Sequence, residues 1–88
     1  MKSTFRASFG RDVKRIRSDR ILDGVRQAIL DVEAAATWSN VPNIKKIKGA
    51  NNAFRIRVED YRIGLCIDAD VAEFVRALPR RDIYRKLP

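Results

Sequence analysis

The run Ala53-Phe54-Arg55-Ile56-Arg57-Val58 and the run Tyr61-Arg62-Ile63-Gly64-Leu65-Cys66-Ile67 flank the dipeptide Glu59-Asp60. Alternation of apolar and polar residues marks a half-buried strand, and a two-residue break between two such runs marks a hairpin. A two-residue turn fixes the pairing: Val58 with Tyr61, Arg57 with Arg62, Ile56 with Ile63, Arg55 with Gly64 and Phe54 with Leu65. Apolar pairs then take one face and arginines the other. The chain must cover the first face with a second layer. On the other face, Arg57 opposite Arg62 is a like-charge pair that weakens a sheet, so the register points to an anionic partner there, RNA phosphate being the natural candidate.

The 88 residues form one domain's worth of chain, expected to be a single domain over 1–88. Apolar residues at 45% suffice for a core, and no apolar stretch is long enough to cross a bilayer. The amino terminus, Met1-Lys2-Ser3-Thr4-Phe5-Arg6, lacks the apolar stretch of a secretory signal, so a cytoplasmic protein is expected. Cys66 is the one cysteine and histidine is absent, which argues against a disulfide, a zinc site or a Cys-His nucleophile. No metal or cofactor is expected. A net charge of +8 and a pI near 10.4 favour a polyanionic partner, either nucleic acid or an acidic protein segment.

Phe5, Ala7 and Phe9 alternate with Arg6 and Ser8, which predicts a first strand ending at Gly10. A helix over Arg11 to Arg17 follows, and Ser18-Asp19 can end it and cap the next. In the second helix, from about Arg20 to Trp38, Ile21, Leu22, Val25, Ala28, Ile29, Val32 and Ala36 form one apolar stripe. Pro42 stops it, and a linker with Lys45, Lys46 and Lys48 leads to the Gly49-Ala50-Asn51-Asn52 turn. After the hairpin, Asp68-Ala69-Asp70 turns into a strand over Val71 to Leu78. Pro79 then begins a short helical or irregular tail. This order predicts an α+β domain: an antiparallel sheet of about four strands, covered on one face by an N-terminal helical hairpin. A three-residue turn at Asp68–Asp70 would set Arg76 opposite Arg62 and add it to the open arginine face.

The order of elements and three stretches together resemble the RelE/ParE superfamily of toxins from bacterial type II toxin-antitoxin modules. The stretches are Ile47-Lys48-Gly49, similar to Leu-Lys-Gly; Phe54-Arg55-Ile56-Arg57-Val58 with Asp60-Tyr61-Arg62-Ile63, similar to Tyr-Arg-Ile-Arg and Gly-Asp-Tyr-Arg; and Val75-Arg76 with Arg80-Arg81-Asp82-Ile83-Tyr84-Arg85. The sequence match covers residues 44–88; residues 1–43 match in pattern only.

The resemblance implies the RelE-like microbial RNase fold and a ribosome-dependent mRNA endonuclease of the RelE-like branch. Such a protein cleaves the codon in the ribosomal A site and is neutralised by a cognate antitoxin through an acidic segment. The implied chemistry is attack of a 2′-hydroxyl on the adjacent phosphorus without a metal. By the same resemblance Arg62, Arg80 and Tyr84 are catalytic candidates. Arg55 and Arg57 are RNA-binding candidates, with Lys45, Lys46, Lys48, Arg81 and Arg85 as further phosphate contacts to mRNA or rRNA. The chain departs from the family pattern at Pro79, where many relatives carry His or Lys, and in having no imidazole base. Proton transfer then falls to Tyr84 first, with Asp82, Glu59 or the ribosome as alternatives. A ParE-like inhibitor of DNA gyrase and an inactive antitoxin-binding relative remain open alternatives.

Plainer readings stand beside these. Strand arginines also keep a sheet soluble and its edges unpaired. Trp38 reads as a helix-end core residue, and Cys66, lacking a base, as a passive thiol.

Overall fold

The structure, a computed structural model, describes residues 1–86, with Tyr84 and Lys86 described in backbone alone. Five strands form one sheet: β1 (Lys2–Phe5), β2 (Ile44–Lys46), β3 (Ala53–Val58), β4 (Tyr61–Asp68) and β5 (Val71–Pro79), in the order β1-β5-β4-β3-β2. Helices α1 (Ala7–Arg15) and α2 (Asp19–Ala34) form the N-terminal helical hairpin, and a short α3 (Ile83–Lys86) follows β5. The sheet has one strand more than expected, and it is mixed, because β1 runs parallel to β5. The extra strand is β2, three residues with two lysines, which sequence reading assigns to a linker. Short, lysine-bearing strands are typical of sheet edges.

The hairpin has the expected register throughout, from Val58 opposite Tyr61 to Phe54 opposite Leu65. Its apolar face carries Phe54, Ile56, Val58, Ile63 and Leu65, all buried in one cluster with Ile21, Val25, Ala28 and Val32 of α2. Ser18 caps α2 by accepting from the Ile21 amide at 3.2 Å. Gly24 lets α2 approach the sheet closely: a methyl group there would lie 2.5 Å from Val58 Cγ1. The α2 helix ends at Ala34, and Trp38 follows in a 3-10 turn (Trp38–Asn40), its ring 5.0 Å from that of Phe54. Trp38 therefore packs against the core rim while remaining 39% exposed.

The first strand lies earlier than predicted, over Lys2–Phe5 instead of Phe5 to Gly10, and the first helix starts at Ala7 instead of Arg11. Phe5, Ala7 and Phe9 alternate like a strand, yet Phe5 and Phe9 are also four apart, and the helical spacing prevails from Ala7 onward. The reason is Phe74 of β5, whose ring lies 5.3 Å from Phe5 and 5.4 Å from Phe9, so that both close over one core residue.

The register of β5 differs from expectation as well. Asp68 pairs with Val71, which makes the turn two residues, and a bulge at Val75 shifts the ladder so that Arg76 lies opposite Gly64 and Leu78 opposite Arg62. Arg76 thus keeps the parity of the arginine face but stands two residues along from its expected place opposite Arg62. It turns to α1, where Nε reaches Asp12 Oδ2 at 2.7 Å and Nη2 reaches Oδ1 at 3.0 Å. The Ala77 amide donates to the same carboxylate at 3.0 Å, and Ser8 Oγ donates to the Val75 carbonyl at 2.6 Å. Ser8 and Asp12, one helical turn apart, thus satisfy the β5 edge beyond the end of β1. The Asp12 hydrogen bond holds the Arg76 guanidinium above its ordinary pKa against the opposing effect of burial.

Candidate nucleic-acid interface

The sheet face away from α1 and α2 receives the polar members of the hairpin. Arg55 and Arg57 project from β3 and Arg62 from β4, and Lys45 of β2 pairs with Arg55 and so shares its face. These four cations, with Asn43 and Ile44, line a groove of about 430 Å³. No described carboxylate lines it. Four cations therefore share one groove, three of them guanidinium groups of the kind that bind phosphate by two hydrogen bonds.

The groove is graded in exposure. Arg57 is exposed, Arg55 half-buried and Arg62 buried at 8% exposure. Burial of a guanidinium is costly unless its donors are matched. Arg62 meets this through Nη1, which donates to the Glu59 carbonyl at 3.0 Å and to its own neighbour's carbonyl, Tyr61, at 2.9 Å. Glu59 adopts φ 57, a left-handed conformation uncommon for a residue with a side chain, in the turn that presents its carbonyl to Arg62. Sequence reading identified Arg62 without its burial or the strained turn that receives it.

The remaining candidates lie in other places. Arg80 and Arg81 are exposed and line a separate depression of about 430 Å³ with Asp60, Tyr61 and Pro79. The Arg80 amide donates to the Asp60 carbonyl at 2.8 Å, which seats Arg80 beside the tip of the β3–β4 hairpin. Lys46 pairs with Phe54 and so takes the opposite parity from Lys45, and Lys48 is exposed beyond the end of β2. Arg85 is exposed and bridges Asp82 at 3.0 Å. The side chain of Tyr84 lies outside the described residues; its backbone is the second residue of α3.

α3 packs against β4 and β5. Ile83 and Val75 are almost fully buried yet lie outside the main core cluster. Burial makes Ile83 the residue that packs the tail onto the sheet. Among the described residues no three His, Cys, Asp or Glu side chains gather as a metal site, and no helix is long and apolar enough to cross a membrane.

The fold and its arginine-lined groove define a small cationic α+β protein with a helical hairpin on one sheet face and a basic opposite face. No protein-family model matches the sequence. Toxin RelE3 of Methanocaldococcus jannaschii is 35% identical over 89 residues, across the whole of both chains. A chain in the crystal structure of a RelB-RelE antitoxin-toxin complex from Methanococcus jannaschii is 33% identical. It superposes with a TM-score of 0.80 over 97% of this chain and 99% of that one. The YoeB dimer from Staphylococcus aureus shares the fold alone, at 11% identity and a TM-score of 0.73 over 89% of this chain and 94% of that one. The chain belongs to the RelE family of toxins.

Proposed function

We propose that this protein is the toxin of a type II toxin-antitoxin pair and an endoribonuclease that cleaves mRNA in the ribosomal A site. The observation that carries the reading is the groove in which Lys45, Arg55, Arg57 and Arg62 converge without a described carboxylate. Membership of the RelE family supports it.

In this reading Arg55, Arg57 and Lys45 hold the RNA backbone by charge-assisted hydrogen bonds, and Arg62 meets the scissile phosphate. The 2′-hydroxyl attacks the adjacent phosphorus, the bond from phosphorus to the 5′-oxygen breaks, and the leaving 5′-oxygen takes a proton from water, so that a 2′,3′-cyclic phosphate and a 5′-hydroxyl result. Negative charge grows on the non-bridging oxygens. A fixed guanidinium there stabilises the transition state more than the ground state. Arg80 stands at the hairpin tip, where it neutralises the departing strand. Arginine cannot take the proton from the 2′-hydroxyl, since its pKa above ~12 leaves no neutral form. That task falls to Tyr84. Asp82 is already engaged with Arg85, and Glu59 is exposed in the turn.

The partner in the resting state is an antitoxin whose acidic segment covers the basic surface. The test is expression of the toxin alone, followed by mapping of mRNA 5′ ends with and without translation. Cuts inside codons that require translating ribosomes, and that vanish in Arg62→Ala or Arg80→Ala, are expected. Growth arrest with intact mRNA would replace this reading with another target, gyrase among them.

A further inference from the structure

Among the described residues that line the groove, one side chain is neutral and hydrogen-bonding, and it belongs to Asn43. The Arg57 amide donates to the Asn43 carbonyl at 3.1 Å, which extends the β2–β3 pairing one residue beyond Ile44 opposite Ile56. Asn43 therefore stands opposite Arg57, and Arg57 stands opposite Arg62. This row crosses three adjacent segments of the sheet, so Asn43 and Arg62 are two strand spacings apart, roughly 10 Å. One nucleotide covers that distance from its phosphate to the edge of its base.

Asn43 has φ 63, in the left-handed region where asparagine, aspartate and glycine are the usual occupants. Backbone conformation thus limits the residue types at this position, and the groove separates those that remain. Glycine offers no side chain, and aspartate sets a carboxylate among four cations. Asparagine in a turn commonly spends its amide on its own backbone. Here the exposed side chain makes no hydrogen bond among the described residues, so its donors and its acceptor are open to a ligand.

The chemistry of the lining divides accordingly. Guanidinium and ammonium groups carry donors only, which suits phosphate oxygens and the paired acceptors of guanine. An amide carries a donor beside an acceptor, the pattern that matches N7 and the N6 amino group of adenine. Single-stranded RNA presents that edge once the base leaves its stack.

We propose that Asn43 is a specificity-determining residue of the groove: its Oδ1 accepts from the N6 amino group of an adenine and its Nδ2 donates to N7, while Arg62 meets the phosphate of the same nucleotide. This inference rests on the RNA-cleaving reading of the groove. It separates two tasks within one surface, phosphate holding by the cations and base selection by the amide.

The experiment adds purified parent, N43G or N43D to a translating extract, maps the RNA 5′ ends, and compares base frequencies around the cuts. N43G keeps the left-handed backbone and removes the amide, and a melting temperature at or above that of the parent verifies its fold. N43D keeps the shape and the backbone conformation, but its carboxylate has no donor for N7. It decides alone if N43G melts below the parent. The expected result is an adenine preference of about tenfold at one position beside the cut in the parent, reduced to below about twofold in both variants, with the total cutting rate of N43G within about threefold of the parent. An adenine preference retained in the variants overturns the inference and leaves the nuclease reading intact. Translation-dependent cuts by the parent without an adenine preference do the same. A lower rate in N43G with unchanged base frequencies gives Asn43 a structural role and overturns its part in selection. A parent that makes no cuts overturns the nuclease reading and this inference with it.

Discussion

Arg62 Nη1 donates to the Glu59 carbonyl at 3.0 Å, across the turn in which Glu59 takes φ 57. The bond fixes a buried guanidinium at the floor of the groove, so its orientation is set in folding rather than in binding. Arg62→Lys keeps the charge and loses the planar fork. Cleavage in a translating extract is expected to fall by about 100-fold, the scale for a lost oxyanion donor, with a stability loss of about 1 kcal/mol. A rate within about threefold of the parent would show that Arg62 does not touch the reacting phosphate.

Asp12 is the hub of the β5 bulge, accepting from Arg76 twice and from the Ala77 amide once while only 3% exposed. Asp12→Ala leaves that amide without its acceptor and Arg76 without its partner. A loss of about 3 kcal/mol is expected in urea unfolding, larger than for any exposed ion pair in the molecule. Ser8→Ala, which removes one donor to the Val75 carbonyl, is expected to cost about 1 kcal/mol. Equal, small losses in both would remove Asp12 from this role.

Two helical glycines should respond to alanine with opposite signs. A methyl group at Gly10 meets nothing within 4 Å, so Gly10→Ala gains helix propensity of roughly 0.5–1 kcal/mol. At Gly24 the methyl meets Val58 Cγ1 at 2.5 Å, and the overpacking of about 1–3 kcal/mol exceeds that gain. Thermal melts of the two variants should move in opposite directions. A double-mutant cycle with Val58→Ala should recover much of the Gly24→Ala loss, since the two sites touch.

The central hairpin was legible because its period, its two-residue turn and the burial of one face all specify one register. What the sequence hid lay in contacts between distant segments. Ser8 and Asp12, some 65 residues away along the chain, hold the bulged stretch of β5, and the Asp12 carboxylate draws the Arg76 guanidinium to α1 and away from the groove. The start of α1 depends on Phe74, whose ring decides between the strand and helix readings of Phe5 and Phe9. β2 is too short and too charged to read as a strand until β3 lies beside it. In the candidate site, the identity of Arg55, Arg57 and Arg62 and the face they share were legible. The burial of Arg62 was not, because it depends on the carbonyls of Glu59 and Tyr61 in the turn.

Ala69, the first residue of the β4–β5 turn, has φ 54, a conformation that disfavours any side chain. Ala69→Gly relieves that cost and raises unfolded-state entropy, for a net gain of about 0.5 kcal/mol. The turn lies at the far end of β4 from Arg62, so RNA binding and cleavage should be unchanged. A melting temperature that falls would mean that the alanine conformation is not strained.

Arg57 and Arg62 sit directly opposite one another in the β3–β4 ladder, and the sheet is weaker for it. If the pairing serves an anion, removing one charge must stabilise the free protein and weaken the complex together. Arg57 is the exposed member, so Arg57→Gln tests this with little disturbance of packing. A stability gain of about 0.5 kcal/mol is expected, alongside loss of RNA affinity and a salt slope shallower by about one. Inorganic phosphate should raise the melting temperature of the parent more than that of the variant. A variant that gains stability and binds RNA as the parent does would reduce the arginine pair to a solubility device. One that loses both would show that Arg57 supports the fold, and the case for the groove would then rest on Arg55 and Arg62.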